Sequence, residues 1–295
     1  MSFRTLKLEL QSFVPELNAV QVGLRINRTI QHLLEAHPWS FLKQEAFVHT
    51  VAPYNTGTVA ISNGSATVTG TLTAWTSNMV GRFIRFDSQI PISVISTVDT
   101  VAQTLTLTDL YNGPNITSSG HSIFQRYYAK PILCRDIISV RYDASLPEKG
   151  QEYLNTLDPN RESTGQPVYW SNVDNTTLEL WPVPDAVYMV TVRYNKLVPD
   201  LAAETDTTVI PERLVLSHAR MSAYLQMSAA ANGERYAKLY SMAKDEFTMV
   251  FQTAVEEDMR KMTLPRQVIQ DGVDFPVSNE FYYTHDVMDP RGPSS

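Results

Sequence analysis

The chain has 295 residues, a formal net charge of −7, 43% hydrophobic residues and 19% charged residues. That length allows roughly two domains, and that composition supports a buried core and excludes global disorder. The acidic balance argues against a general grip on nucleic acid, which needs a basic face, but not against a surface that DNA slides past.

Taken from the N-terminus, "MSFRTLKLELQSF" lacks the apolar run and small-residue cleavage site of a signal peptide. Leu17, Val20, Leu24, Ile30, Leu33 and Leu34 fall mostly at three- and four-residue steps and predict a helix over Glu16–Ala36. Pro15 fits its start and Pro38 its end, with Trp39 and Phe41 as core plugs beyond it. The texture then changes. "TVAIS" and "ATVTG" flank a turn at Asn63-Gly64-Ser65, with Val59 and Ile61 on one face and Thr58 and Ala60 on the other. "VGRFIRFD" is expected to place Val80, Ile84 and Phe86 together. "ISVISTV" and "TLTLTDL" read as a hairpin with Leu105 and Leu107 inward, and "SIFQRYYA" as the closing strand. Short strands at this spacing predict a small barrel or sandwich over residues 53–128.

After Lys130, "CRDIISVRYD" reads as a strand and "KGQEYLNTLD" as a short helix. "PVYWSNV" and "TLELW" form a hairpin, and Tyr188, Val190, Val192 and Tyr194 mark the apolar face of a long strand. Two helices follow. The first begins at Pro211, taken as its first helical residue, with Leu214, His218, Met221 and Leu225 on one stripe. Asn232-Gly233 reads as its C-cap and turn. The second carries Tyr236, Ala243, Phe247, Val250 and Ala254 inward, and so short a connection makes the pair antiparallel. The methionines Met221, Met227, Met242, Met249, Met259 and Met262 concentrate here, where they either fill the core or meet an irregular partner. Residues 263–295 have no period, four prolines from Pro265 on, and scattered aromatics, which suits an extended arm that docks its rings on another protein.

No catalytic signature is present. HExxH, Walker A, GxSxG and GxGxxG are all absent from the sequence. Cys134 is the single cysteine, so neither an intrachain disulfide nor a cysteine zinc site is available, and no cofactor is expected. His32 and His37 stand five apart and do not share a helix face, while His218 reads as a core histidine. Asp136, Asp174, Glu179 and Asp185 invite a glycosidase reading, but nothing in the sequence pairs them. Trp75, Trp170, Trp181, Tyr169 and Tyr188 invite a sugar-stacking reading, against which packing is the simpler account. No stretch approaches the roughly 20 apolar residues of a membrane helix.

The order of an N-terminal helix ending "EAHPWSFL", the run "GTVAISNGSATVTGT" with "MVGRFIRF", and the block "LELWPVPD…VRY…IPERL" before a helical hairpin resembles the head-to-tail adaptors of double-stranded DNA bacteriophages. The resemblance implies an α+β fold: an antiparallel helical bundle with a small sheet (residues 1–52 and 129–262), an inserted barrel-like domain (53–128) and a C-terminal portal-docking arm (263–295). It implies a non-enzymatic virion protein at the neck, synthesised in the host cytoplasm. Copies, often twelve, would ring the DNA channel beneath the portal and bind tail, nozzle or fibre proteins below, with DNA passing unbound and with no membrane contact. Expected arm anchors are Phe275, Phe281, Tyr282 and Tyr283; expected inter-subunit positions are Met221, Tyr224, Met242 and Phe247. The alternative is a tail-associated carbohydrate-binding or hydrolytic protein whose recognition module is the β insert.

Overall fold

The computed structural model describes residues 1–87, 92–229 and 233–262. The chain opens with a helix that lies ahead of the one expected, α1 (Phe3–Phe13), capped by the Ser2 side chain, which accepts the Thr5 N–H at 3.3 Å. Phe3, Leu6 and Leu10 recur at three- and four-residue steps and are buried, so the segment is amphipathic. The next helix, α2 (Ala19–Ala36), begins later than Glu16 because Asn18 and Gln21 form a capping box. The Gln21 N–H donates to Asn18 Oδ1 at 2.9 Å, and the Asn18 N–H donates to Gln21 Oε1 at 3.1 Å. Its buried stripe also differs from the expected one. Val20 and Leu24 are 71% and 54% exposed, and Val22 and Ile26 take the inward places ahead of Ile30 and Leu33. Trp39 is a core residue, its Nε1–H donating to the Leu33 carbonyl at 2.7 Å, whereas Phe41 is 38% exposed and stacks on it.

β1 (Lys43–His49) is followed by β2 (Thr58–Ile61), β3 (Thr67–Thr71), β4 (Phe83–Phe86), β5 (Ile92–Asp99), β6 (Thr104–Leu107), β7 (Ile116–Ser119) and β8 (His121–Phe124). The last seven form one antiparallel sheet in the order β7-β2-β3-β6-β5-β4-β8. Its two edge strands are consecutive in the chain, separated by Gly120 alone, so the sheet curls into a half-barrel. The alternation expected of β2 and β6 holds: Val59, Ile61, Leu105 and Leu107 are buried inside the curl with Val68, Trp75, Ile84 and Ile123. Val80 is a correction. It ends a 3-10 turn at Ser77–Met79 and is 48% exposed, and Met79 is buried in its stead. Tyr54 and Ile123 exchange both backbone hydrogen bonds at 2.8 Å, which brings the start of this segment beside its last strand.

The segment "SIFQRYYA" is split between sheets. β8 stays in the half-barrel, but β9 (Tyr127–Ala129) crosses to a second sheet. Then come β10 (Cys134–Tyr142), β11 (Ala144–Leu146), α3 (Gln151–Leu157), β12 (Tyr169–Asn172), β13 (Thr177–Trp181) and β14 (Met189–Lys196). They build a three-stranded sheet, β12-β13-β9, and a four-stranded one, β1-β14-β10-β11. Val190 and Val192 pack from β14 with Tyr128, Val140, Trp170 and Leu178, Tyr188 lies against the same cluster, and Tyr194 is buried further along the strand.

α4 (Glu212–Ser228) and α5 (Gly233–Met262) complete the described chain. Pro211 is the N-cap of α4 rather than its first helical residue, and Leu225 is 52% exposed rather than on the buried stripe. Gly233 opens α5 instead of closing α4, whose C-cap is Ala229; Asn232 lies outside the described residues. The pair is antiparallel. Tyr224 meets Tyr236 near the turn at 5.8 Å, and His218 meets Phe247 further along at 4.9 Å. Leu6, Leu10, Ile26, Leu33, Leu214, Ala219 and Tyr236 form one core shared by α1, α2, α4 and α5. Among the described residues the fold is thus mixed α/β, with five helices and three antiparallel sheets. The expected arm lies outside them.

Candidate assembly surfaces

The helical hairpin presents apolar side chains on both faces. Inward, Phe247 packs on His218 and Phe251, Tyr224 is 7% exposed, and Met221 is half-buried against the same core. Outward, Met242 and Met249 stand seven residues apart on α5 and are 70% and 63% exposed. Seven residues are nearly two turns, so these two methionines share a stripe facing away from the chain's own core. Of the four expected inter-subunit positions, the structure therefore places Met242 outside and Tyr224 and Phe247 inside. Phe275, Phe281, Tyr282 and Tyr283 lie outside the described residues.

The end of α5 is pinned by a carboxylate that the sequence reading passed over. Asp258 is 4% exposed and accepts the Ser40 N–H at 2.9 Å, the Ser40 hydroxyl at 2.5 Å and a bond with His37 Nε2 at 3.1 Å. Burial pushes its acidity the other way, but the Ser40 donors prevail and hold the carboxyl below the usual aspartate value. This contact fixes the last turns of α5 against the α2–β1 junction, just before residue 263.

A second buried charge cluster joins the half-barrel to the rest. Glu179 on β13 is fully buried. Its Oε1 accepts from Arg126 Nε at 2.5 Å and from Arg161 Nε at 2.8 Å. Arg161 is 1% exposed and also donates to the Leu154 carbonyl at 3.0 Å and to Asn155 Oδ1 at 2.7 Å. From the half-barrel, Arg85 on β4 donates to the carbonyls of Asn160, at 3.0 Å, and Arg161, at 2.5 Å. Phe83 and Phe124 of the half-barrel pack with Val183, and Tyr127 covers them.

The remaining candidate groups are held separately. Asp136 bonds Arg135 and Asn195. Asp174 caps the β12–β13 turn through the Thr176 and Thr177 hydroxyls and N–H groups, which hold its carboxyl far below the ordinary range, the Thr177 hydroxyl foremost. Asp185 accepts from the Tyr188 hydroxyl at 2.5 Å, and that bond pushes the phenol up to about 12. The four carboxylates of the glycosidase reading thus have four different sets of partners. The aromatic candidates pack on protein: Trp75 and Trp170 are buried, Trp181 stacks on Tyr169 at 5.7 Å, and Tyr188 meets Tyr142 at 5.1 Å. Cys134 is half-buried, which raises its thiol. His218 donates to or accepts from Thr29 Oγ1 at 3.1 Å, and its burial drives the imidazole down to about 4. Among the described residues no cluster of three or more metal-ligating side chains occurs, and no helix is long and apolar enough to cross a membrane.

No curated protein matches the chain. A family model described as SU10 adaptor protein matches residues 54–268. The match takes in the half-barrel, the three-stranded sheet, the four-stranded sheet except β1, and the helical hairpin; it begins after α1, α2 and β1. The "GTVAISNGSATVTGT", "MVGRFIRF" and "LELWPVPD…IPERL" stretches fall within it; "EAHPWSFL" does not. Because the match covers well over half of the sequence, the chain belongs to the SU10 adaptor family, a family of phage head-to-tail adaptors.

Proposed function

We propose that this chain is a structural subunit of a ring beneath the portal, at the virion neck, that joins capsid to tail and continues the DNA channel. The observation that carries the reading is the family match over residues 54–268. The ring reading draws support from the Met242–Met249 stripe, which is apolar, exposed and made of adaptable side chains. A closed ring needs a heterologous contact, in which one subunit's stripe meets a different surface of its neighbour, burying about 800 Å² on each side. In this reading Tyr224 and Phe247 act from within by fixing the hairpin that displays Met242, and Met221 lies beside them.

The chain divides by function into a core (1–52 and 129–262), the half-barrel insert (53–128) and the arm (263–295). The insert faces tail or fibre components. The arm reaches the portal: the 31 residues from Pro265 to Ser295 span about 100 Å when extended, with Phe275, Phe281, Tyr282 and Tyr283 as anchors. The subunit works by shape and converts no substrate. The test mixes the purified chain with portal particles and images the product. A ring under the portal is expected for the full chain, and loss of portal binding with an unchanged far-UV spectrum for a chain truncated after Lys261. Undiminished binding by the truncated chain, or localisation of the protein away from the neck, refutes the assignment.

A further inference from the structure

Helices α2 and α4 flank a groove of about 330 Å³ whose lining, among the described residues, contains no acidic side chain. Arg25, Arg28 and His32 reach it from α2, at steps of three and four; His218, Ser222 and Gln226 reach it from α4, at steps of four. Both sets follow one helix face, so the backbone geometry brings them together. Arg25 donates through Nη1 to the Ser222 carbonyl and hydroxyl, both at 2.7 Å, and through Nη2 to the Gln226 amide oxygen. All of these acceptors are neutral, and the buried Arg25 Nε has no hydrogen-bond partner among the described residues.

Neither Arg25 nor Arg28 belongs to an ion pair among the described residues, although Arg126, Arg135, Arg141, Arg161, Arg220 and Arg260 all do. The charged group that acts on Arg25 is Arg28, another cation; burial and that charge both pull its guanidinium down. His218 stacks on His32 at 4.8 Å; burial first, then the neighbouring His32 and Arg25, pull its imidazole down as well. Like charges side by side in a partly dry groove repel, and the half-buried Arg25 guanidinium is disfavoured until a counter-charge arrives.

We propose that the α2–α4 groove is a phosphate oxyanion site, with the Arg25 and Arg28 guanidiniums as its charged donors and His32 and Gln226 at its rim. Two guanidiniums carry two positive charges, which a phosphate dianion balances and which its several acceptor oxygens satisfy at once. The same chemistry is supplied by inorganic phosphate or by the phosphates of a DNA backbone. The site goes beyond the adaptor reading, in which DNA passes unbound.

The test uses the full chain. Inorganic phosphate is titrated against chloride at constant ionic strength, read by calorimetry and by the thermal midpoint; a labelled DNA duplex is titrated in parallel by anisotropy. Arg28→Gln is the diagnostic variant because the Arg28 side chain is exposed and outside the core. Expected are saturable phosphate binding, a loss of affinity of about tenfold or more in Arg28→Gln, and a phosphate-free midpoint in the variant no lower than that of the parent. Competition of phosphate with DNA supports the site with backbone phosphate as its source; phosphate binding without DNA binding supports it with the free ion. The proposal is overturned if neither binds saturably, if Arg28→Gln binds as the parent does, or if the variant changes only self-association.

Discussion

Replacing Glu179 by glutamine is the sharpest perturbation of the junction between the half-barrel and the core. The substitution keeps the shape and removes one negative charge from a site where two guanidiniums converge, at 2.5 Å and 2.8 Å from the same oxygen. Arg161 is 1% exposed and has no route to solvent, so its charge is left without a counter-ion. Breaking a buried pair from one side costs about 3–5 kcal/mol, since the partner stays desolvated. The Arg161 bonds to the Leu154 carbonyl and Asn155 offset part of this, which favours the lower end of that range. Arg126, with 13% of its side chain exposed and lying 4.9 Å from the Tyr127 ring, is expected to turn outward and contribute less. Urea unfolding by tryptophan fluorescence, with hydrogen exchange over residues 169–181, measures the loss. The double variant Glu179→Met, Arg161→Met should recover more than half of it, because the fully buried guanidinium is then removed together with its counter-ion. A loss under about 1 kcal/mol in Glu179→Gln, or no recovery in the double variant, refutes the reasoning.

Three further outcomes follow from other sites. Asp258→Asn should cost about 1–3 kcal/mol and speed exchange over residues 250–262, because the Ser40 donors lose their charged acceptor. Since the native carboxyl is held below its unfolded value near 4, its contribution is present above that pH and lost as pH falls through the native value, so the gap between variant and parent closes in acid. His218 has the same sign: its native value of about 4 lies below the unfolded value of about 6.5, so the stability it lends is complete above pH 6.5 and falls between there and about 4. His218→Gln should flatten that slope in unfolding titrations, and an unchanged slope counts against a buried neutral imidazole. Gly57→Ala should destabilise the half-barrel by about 2 kcal/mol or more in thermal unfolding: φ is +86° and a Cβ would lie 2.5 Å from the Thr71 carbonyl oxygen.

Periodicity made much of this fold legible. Alternation in "TVAIS" and "TLTL" placed Val59, Ile61, Leu105 and Leu107 inward, because one face of a half-barrel strand is dry and the other wet. The same logic was weaker for α2, where apolar residues occupy more than one face and Val20 and Leu24 compete with Val22 and Ile26 for the inward stripe. α1 had a signal in Phe3, Leu6 and Leu10, but a stripe of three residues in an N-terminal segment is short against the background. The sequence offers Glu179 only as one of four acids that nothing pairs. In "TLELW" it alternates with Leu178 and Leu180, which marks it as facing the other side of the strand. What covers that side comes from 18 and 53 positions away, and no local pattern announces Arg161 or Arg126. Charge partners found through topology are invisible to a reading based on spacing.

The half-barrel is fastened to the core by more than its two chain connections. The Tyr54–Ile123 bridge closes its base, Arg85 reaches the Asn160 and Arg161 carbonyls, and Phe83 and Phe124 share an apolar cluster with Val183. The Glu179 cluster lies under the same contact, because Arg161 supplies both the guanidinium for Glu179 and a carbonyl for Arg85. A module held by backbone connections alone would swing on its linkers; one held by a shared apolar cluster and a satisfied ion network keeps one orientation, since losing it exposes both. That rigidity suits a subunit that works by shape, because a surface presented to neighbours transmits position only if it does not turn relative to its own core. The junction therefore ties stability to placement: weakening Glu179 should loosen the angle of the half-barrel before it melts the half-barrel's own core of Val68, Trp75 and Leu105, which no residue of the cluster enters.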